Sequence, residues 1–179
     1  MYQPLEDSYL LEKTLKKYLK NKSKKIQILD MGSGSGIQAL VCKKLGFKNI
    51  MVSDINPESI IHLINIGLDA KKSNLFSNIK EKFDLIVFNP PYLPDDKREP
   101  KDSKLNTTAG KKGYELIIKF LKQAKSHLNS HASIILLFSS LSQPKIILNE
   151  ARKLNYNYNQ LNNQKLFFEE LYVYEFKHF

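Results

Sequence analysis

The sequence contains one cysteine, no tryptophan and four histidines among 179 residues. Cys42 has no second cysteine to pair with, so a disulfide within the chain is excluded. The histidines are scattered along the chain, and no Cys or His spacing typical of zinc ligands is present. We therefore expect no metal site.

Long apolar segments are also lacking. No run approaches the roughly 20 apolar residues of a membrane span, and no signal-peptide pattern opens the chain. The sequence therefore predicts a cytoplasmic protein without a membrane partner. Its length and its 42% hydrophobic content suit a single domain over residues 1–179 with a full core.

Arginine is scarce although the formal net charge is +10. Arg98 and Arg152 are the only arginines. Lysine lacks the guanidinium group, which forms two parallel hydrogen bonds to the edge of a nucleic-acid base. The lysines are spread over many segments and are dense only within residues 20–25. We interpret the charge as mainly a solvated surface. An acidic or RNA-associated partner is the alternative, so nucleic acid is possible but not favoured.

Three of the seven glycines lie in one short turn. The apolar segment 26–29 predicts a strand that runs directly into Asp30-Met31-Gly32-Ser33-Gly34-Ser35-Gly36, and a helix is predicted from Ile37 to about Leu45. Glycines let a backbone approach a ligand closely, and a helix start offers free N–H groups. Gly32, Gly34 and Gly36 therefore predict a nucleotide-cofactor site.

The type of cofactor follows by elimination. No lysine follows the glycines, as a phosphate-binding loop of the Walker type requires, and Ile37 stands where a dinucleotide fingerprint needs its third glycine. Asp30 would repel a pyrophosphate but could pair with an ammonium group. S-adenosylmethionine carries an amino acid in place of phosphates, so the acid favours that cofactor.

The next two predicted strands add further cofactor contacts. Asp54 ends the strand 49–54, 18 residues after Gly36, where α/β cofactor domains place a carboxylate on ribose hydroxyls. Alternatively, Asp54 is an ordinary surface acid at the end of a strand and has no role in ribose binding. A weak third strand is predicted over 70–76, and its lysines suit a sheet edge. Asn74 and Leu75 would lie beside the adenine.

A rigid tetrapeptide, Asn89-Pro90-Pro91-Tyr92, follows the buried strand predicted over 83–88. The two prolines hold the carbonyls of Asn89 and Pro90 in nearly fixed directions and carry no N–H. The tetrapeptide therefore presents acceptors, which suit a planar –NH2 group, and Tyr92 offers a flat face for stacking. By itself, the same sequence is also compatible with an ordinary stiff loop.

The remaining segments complete an α/β pattern. Residues 93–112 form the longest irregular stretch, which predicts a lid or substrate loop. We predict a doubly wound, Rossmann-like fold with a seven-stranded, mostly parallel sheet and helices on both faces. The later elements are predicted as a helix from 113 to about 128, a strand over 133–138, a helix over 144–154, and antiparallel strands over 165–168 and 171–176.

The opening segment, Tyr2-Gln3-Pro4-Leu5-Glu6-Asp7-Ser8, predicts a helix start that Asp7 or Ser8 could cap. Together with the glycine turn, Asp54 and the tetrapeptide, this segment resembles the class I S-adenosylmethionine-dependent methyltransferases that modify amino or amide nitrogens. More narrowly, the sequence resembles the eukaryotic and archaeal branch of the HemK-like glutamine methyltransferases.

The resemblance implies N5-methylation of the glutamine in the Gly-Gly-Gln motif of a class I translation termination factor. It also implies a heterodimer with a small zinc-binding activator protein. Catalytic roles would fall on Asn89, Pro90 and Tyr92, with Pro91 also lining the substrate site. One departure is Asn74, which stands where the family usually has an aspartate at the adenine. The implied cofactor contacts are Ser8, Asp30, Gly32, Asp54, Asn74, Leu75 and Asn89.

Other functions remain open from the sequence. An adenine-N6 methyltransferase acting on RNA or DNA would use the same tetrapeptide. Its target-recognition element or arginine-rich face is not evident in the sequence. A catalytically silent cofactor-binding scaffold has no physical need for Asp30, Asp54 and Asn89 together. Modification of lysine or another protein side chain is a further alternative.

Overall fold

The computed structural model describes residues 5–93 and 112–178. Two single-turn 3-10 helices, Lys125–His127 and Ser140–Ser142, flank the long fifth strand. The other elements are, in chain order, α1 (Glu6–Tyr18), β1 (Ile28–Met31), α2 (Ile37–Lys44), β2 (Ile50–Asp54), α3 (Pro57–Asn65), β3 (Asp69–Lys72), β4 (Phe83–Phe88), α4 (Glu115–Ala124), β5 (Leu128–Ser139), α5 (Pro144–Lys153), β6 (Tyr156–Lys165) and β7 (Glu170–His178).

The strands form one seven-stranded sheet in the order β3-β2-β1-β4-β5-β7-β6. Strands β1 to β5 pair in parallel, and β7 pairs antiparallel with both β5 and β6. The predicted Rossmann-like class and the antiparallel far edge are therefore confirmed. After β1 the chain adds β2 and β3 on one side of this strand and then β4 on its other side, so the strand order reverses between β1 and β4. Sheets of this type bind ligands at such a reversal, beside the carboxyl ends of the two strands.

Helices pack on both faces of the sheet because the central strands alternate their apolar side chains between two cores. On one face, Leu29 and Ile86 belong to a core that includes Ile117 of α4 and Ile147 of α5. On the other face, strand residues such as Val87 pack with the apolar side of α1 and with Cys42 of α2. Each core therefore holds the strand ends in a fixed position relative to the helices.

Four predicted strand boundaries are wrong. Strand β5, predicted over 133–138, runs from Leu128 to Ser139, because α4 ends at Ala124 rather than near 128 and Leu128 already pairs with Phe83 of β4. Strand β1 begins later than predicted and includes Asp30 and Met31, because both residues continue the pairing with β2 and β4. Strand β3 covers only Asp69–Lys72, so Asn74 and Leu75 lie beyond it. Strand β6 was predicted over 165–168 but runs from Tyr156 to Lys165. Its Asn- and Gln-rich sequence is extended because β7 supplies its hydrogen-bond partners along the whole length.

Most of the predicted loop 93–112 lies outside the described residues, and only its ends, Leu93 and Lys112, fall within them. Within the described ranges, no helix combines the length and the apolar character needed to cross a membrane.

Candidate active site

The glycine turn between β1 and α2 depends on glycine at alternate positions. Gly32, Gly34 and Gly36 have φ angles of 62°, 52° and 78°, in the left-handed region that disfavours other residues. A Cβ on Gly36 would lie 2.8 Å from Leu63 Cδ2, so this glycine lets α3 pack against the turn. Gly36 thus has a packing role, and its predicted cofactor contact stays a prediction.

Gly32 marks the place where the turn meets the end of β4. A Cβ on Gly32 would lie 3.1 Å from Phe88 Cε2, and Phe88 pairs with Met31 across the two strands. Asn89 follows Phe88 directly. The glycine turn and the tetrapeptide are therefore neighbours at the carboxyl edge of the sheet, as predicted.

Asp30 is a buried carboxyl group near the end of β1. Its Oδ2 accepts a hydrogen bond from the Ala39 N–H at 3.1 Å, and this N–H belongs to the first turn of α2. Burial, with a smaller contribution from the nearby charge of Asp54, raises the pKa of Asp30 to about 7, although hydrogen bonds from Ser33 and Ala39 oppose the rise. An ammonium group brought beside Asp30 would favour the ionised carboxylate.

Asp54 ends β2 and connects three segments of the edge. Its Oδ2 accepts from the Gly34 N–H at 2.9 Å and its Oδ1 from the Asn56 N–H at 2.8 Å. Its backbone carbonyl accepts from the Ser73 N–H at 2.9 Å, which places Asn74 just beyond the end of β2. Each carboxylate oxygen retains a lone pair for a further donor, so the predicted ribose contact is compatible with these bonds.

Asn74 and Leu75 lie in the turn after β3. Asn74 is exposed and its N–H donates to Ser77 Oγ at 3.1 Å, whereas Leu75 is buried with a φ of 49°. The structure brings both residues to the same edge as Asp54. A contact with the adenine stays a prediction for both.

One end of the Asn89 amide is hydrogen-bonded, and the other end has no partner among residues 5–93 and 112–178. Nδ2 donates to Asp7 Oδ2 at 3.0 Å, and a carboxylate there requires the NH2 end of the amide to face it. Oδ1 is buried and accepts no hydrogen bond within the described part of the chain. The amide orientation is therefore set by Asp7, and the carbonyl oxygen is an acceptor that no donor of the described residues satisfies.

Asp7 and Ser8 are buried in the first turn of α1 and do not cap it. The N-cap residue is Leu5, which has no side chain able to cap, so the predicted capping roles are wrong. The Ser8 carbonyl accepts from Gln38 Nε2 at 2.9 Å, and this bond ties the start of α1 to α2. The Gln38 Oε1 atom is buried without a partner in the described residues. Asp7 is consequently held beside the end of β4.

The rest of the tetrapeptide is anchored to the C-terminal half of the sheet. Pro90 is buried, and Pro91 and Tyr92 are half-buried. The Tyr92 carbonyl accepts from Ser142 Oγ at 2.7 Å, and the Tyr92 ring packs against the cores on both faces of the sheet. Ser142 lies in the 3-10 helix after β5, so two independent contacts position Tyr92.

The structure thus brings the predicted site residues to one edge of the sheet and adds three that the sequence analysis did not identify. Asp7 was considered only as a cap, although its place in the opening segment was a usable signal. Gln38 and Ser142 carried no sequence signal, because their contacts join segments far apart in the sequence. Among the described residues, no cluster of His, Cys, Asp and Glu could hold a metal ion.

The arrangement of the edge defines a class I methyltransferase, and comparisons with known proteins agree. Residues 7–167 match the family model described as the methyltransferase small domain. A Methanocaldococcus jannaschii protein, named as an inferred protein N5-glutamine methyltransferase, is 36% identical over 181 aligned positions, covering 97% of this chain and 89% of that protein. The human methyltransferase HEMK2 is 28% identical over 163 positions, covering 83% of this chain and 76% of its own.

Among solved structures, the Mtq2–Trm112 complex of E. cuniculi contains a protein that superposes with a TM-score of 0.81 at 23% identity, covering 99% of this chain and 98% of its own. This likeness supports the fold. The chain belongs to the methyltransferase small domain family, and within it to the HemK-like branch that the archaeal relative represents. It is an S-adenosylmethionine-dependent N-methyltransferase.

Proposed function

We propose that this protein methylates the side-chain amide nitrogen of a glutamine in another protein. The observation that carries the proposal is the Asn89 amide, whose orientation Asp7 sets and whose buried Oδ1 has no partner in the described residues. A buried acceptor without a donor is costly, and a guest with N–H groups would remove that cost. A primary amide is such a guest.

The residues at the edge fit S-adenosylmethionine. Asp30 would hold the ammonium group, Asp54 the ribose hydroxyls, and the backbone of Gly32 and Gly34 would lie against the amino-acid portion. Asn74 and Leu75 would flank the adenine, and Ser8 would close the site from α1. When bound, the cofactor supplies an electrophilic methyl group.

The protein's own part in the reaction is to position the nucleophile. The two N–H groups of the substrate amide would donate to Asn89 Oδ1 and to the Pro90 carbonyl, while Pro91 and Tyr92 confine the amide plane. Its nitrogen lone pair then points away from both acceptors. Orientation of this kind can supply effective molarities of about 10⁵ M or more. Transfer would join the methyl carbon to the amide nitrogen as the bond from that carbon to sulfur breaks, and the nitrogen would then release one proton to water, so no base is needed before attack.

The substrate class is inferred from the relatives. The E. cuniculi complex is responsible for methylating the eRF1 translation termination factor, and the M. jannaschii relative is named for glutamine N5. We therefore infer that the substrate is the glutamine in the Gly-Gly-Gln motif of a class I termination factor, which places the enzyme in the cytoplasm.

A small zinc-binding activator is the proposed heterodimer partner, in keeping with the two-protein assembly from E. cuniculi. The side of the molecule at β3 offers a docking place, since β3 is an edge strand that another polypeptide could extend. Next to it, Ile55, Ile61 and Ile64 are about half exposed, at 49%, 61% and 55%. Such a group of aliphatic side chains suits a protein partner.

The decisive experiment is a transfer assay with labelled S-adenosylmethionine, with and without the activator. The substrates are a class I termination factor, its variant with the motif glutamine changed to alanine, and total RNA. We expect the mass of one methyl group on the motif glutamine and none on the alanine variant. Label in RNA instead would favour the adenine-N6 alternative, and label on lysine would also contradict the proposal.

A further inference from the structure

Two aromatic side chains project into solvent at the end of the β6–β7 hairpin. Phe167 and Phe168 are 92% and 85% exposed, more than any other large apolar side chain in the described ranges. Their ring centroids are 4.7 Å apart in an edge-to-face arrangement. The hairpin is closed directly beneath them by the Leu166 N–H, which donates to the Glu169 carbonyl at 2.8 Å. The tip is therefore a defined structure that presents two adjacent aromatic rings.

The tip lies at the same edge of the sheet as the candidate active site. Strand β7 runs antiparallel to β5, so Leu171 near its start pairs with Ser139 at the carboxyl end of β5. Glu170 pairs with Lys165 at the end of β6. The carboxyl ends of β1, β4 and β5 and the hairpin tip thus share one side of the molecule.

Hydrogen bonds connect the base of the tip to the tetrapeptide. The Glu170 N–H donates to Ser140 Oγ at 3.0 Å, and Ser142 in the same 3-10 helix donates through Oγ to the Tyr92 carbonyl at 2.7 Å. A capping box at Ser139 stabilises this helix. The 3-10 helix therefore joins the tip and Tyr92 through two short contacts.

Further exposed apolar side chains occur on elements at this edge. Leu5 and Tyr9 flank the start of α1, where Asp7 contacts Asn89, and they are 54% and 57% exposed. Leu141 lies in the 3-10 helix that holds Tyr92 and is 43% exposed. We call Leu5, Tyr9, Leu141, Phe167 and Phe168 the apolar rim.

We propose that the apolar rim, and above all Phe167 and Phe168, binds an apolar segment of the polypeptide substrate next to the residue that is methylated. This inference rests on the proposed function and adds a specificity-determining surface to it. The occupant follows from continuity with the active-site edge: a polypeptide that delivers a side chain to Asn89 approaches the same edge of the sheet whose elements carry the rim. The proposed activator surface lies at β3, which is the opposite end of the sheet from β6.

The physical reason for a separate docking surface is the small size of the reacting group. One amide offers few contacts, so affinity for a protein substrate has to come from neighbouring residues. Aromatic side chains are enriched at the buried centres of protein interfaces. A substrate segment that covers both rings would be held while its amide enters the site.

The test compares Phe167→Ser/Phe168→Ser with Phe167→Leu/Phe168→Leu in the presence of the activator. Transfer is measured on an intact termination factor and on a short peptide that contains only the Gly-Gly-Gln motif. We expect the serine variant to raise KM for the intact factor by about 30-fold with kcat retained. The leucine variant should keep most of the wild-type KM, and the peptide should be used equally by all three enzymes.

The outcomes separate this inference from the proposed function. If the wild type methylates the motif glutamine and the serine variant has an unchanged KM for the intact factor, the rim is not a substrate surface although the function stands. If the serine variant instead loses affinity for the activator, the rim binds the activator and the inference is wrong. The inference is also wrong if the wild type forms a dimer of this chain and the serine variant is a monomer, because the rim then binds a second copy. If the wild type methylates no protein glutamine, both proposals fail.

Discussion

The acids at one end of the active-site edge and the Asn89 amide at the other differ in how completely hydrogen bonds satisfy their oxygen atoms. Around the glycine turn, Asp30 and Asp54 each accept hydrogen bonds from backbone N–H groups, and Gly36 lets α3 pack against the turn. At the tetrapeptide, Asn89 Oδ1 is buried without a donor in the described residues, and apolar side chains nearby are exposed.

In terms of the proposed function, the difference corresponds to a cofactor half whose acids are already hydrogen-bonded and a substrate half that its guest would complete. In the first half, hydrogen bonds from backbone N–H groups hold the two carboxyl groups in position without a ligand. The second half carries an unsatisfied acceptor, which favours binding of a donor over the empty state.

The largest effect is expected when the unsatisfied acceptor is removed. Asn89→Ala should lower methyl transfer by about 10³-fold or more, because the substrate amide loses the oxygen that orients it. Binding of S-adenosylhomocysteine, measured by calorimetry, should stay largely intact. Asn157→Ala, on the exposed side of β6, serves as the matched control. Normal turnover in Asn89→Ala would refute the role assigned to Asn89.

A smaller loss is expected when the anchor of Asn89 is removed. Asp7→Ala should lower kcat by about 10- to 100-fold with little change in KM, since the Asn89 amide can then rotate away from its productive orientation. Asp7→Asn, which can still accept a hydrogen bond, should restore part of the rate. Glu6→Ala, an exposed acid in the same helical turn, is the control. Equal rates in Asp7→Ala and Glu6→Ala would show that Asn89 does not depend on Asp7.

The packing of the cofactor half can be tested at Gly36. Gly36→Ala combines an unfavourable φ with a Cβ that collides with the buried Leu63 side chain. We expect the free energy of unfolding to fall by about 2 kcal/mol, roughly 30-fold in the folding equilibrium. Gly46→Ala also has a positive φ but no atom within 4 Å of the added Cβ, so its loss should be about half as large. Denaturant titrations measure both, and equal losses would contradict the packing role.

The last effect, on cofactor affinity rather than on rate or folding, concerns pH. Because burial raises the pKa of Asp30 to about 7, only part of the protein carries the carboxylate at neutral pH. Affinity for S-adenosylhomocysteine should therefore rise by up to about 10-fold per pH unit as the pH increases toward 7, and should level off above it. Asp30→Asn should bind more weakly and lose this dependence. The exposed Asp69→Asn is the control, and a flat wild-type profile in calorimetry would contradict ionic pairing at Asp30.

The same pKa has an opposite consequence for the protein without cofactor. The unfolded polypeptide releases the Asp30 proton near pH 4 and the folded protein only near pH 7. The contribution of Asp30 to stability is therefore greatest below about pH 4 and is lost as the pH rises to 7. Asp30→Asn cannot ionise and should lack this decline, which thermal unfolding across the pH range would detect.

Much of the fold could be predicted because its central strands are apolar and its turn is marked by glycines. Strand β4 has the predicted bounds, and the glycine turn precedes α2 as expected. Strand β6 could not be placed, since Asn and Gln residues favour a strand only when β7 supplies hydrogen bonds. The strand end at Asp30 was missed because an acid inside a buried strand is unfavourable without the Ala39 N–H beside it.

For the candidate site, the sequence predicted which residues gather at the edge but not how Asn89 is oriented. That orientation depends on Asp7, which is 82 positions away and is brought close only by the packing of α1 on the sheet. Local patterns carry no information about such a contact.

The bond between Asp7 and Asn89 also makes the amino-terminal helix part of the reaction chemistry. Trimming the protein through the first helical turn would remove Asp7 and Ser8 but would leave the seven strands, the glycine loop, Asp30 and Asp54 in the chain. Under the proposed function, the shortened protein's rate of methyl transfer would nevertheless fall by about 10-fold or more, because the Asn89 amide would have lost the carboxylate that orients it.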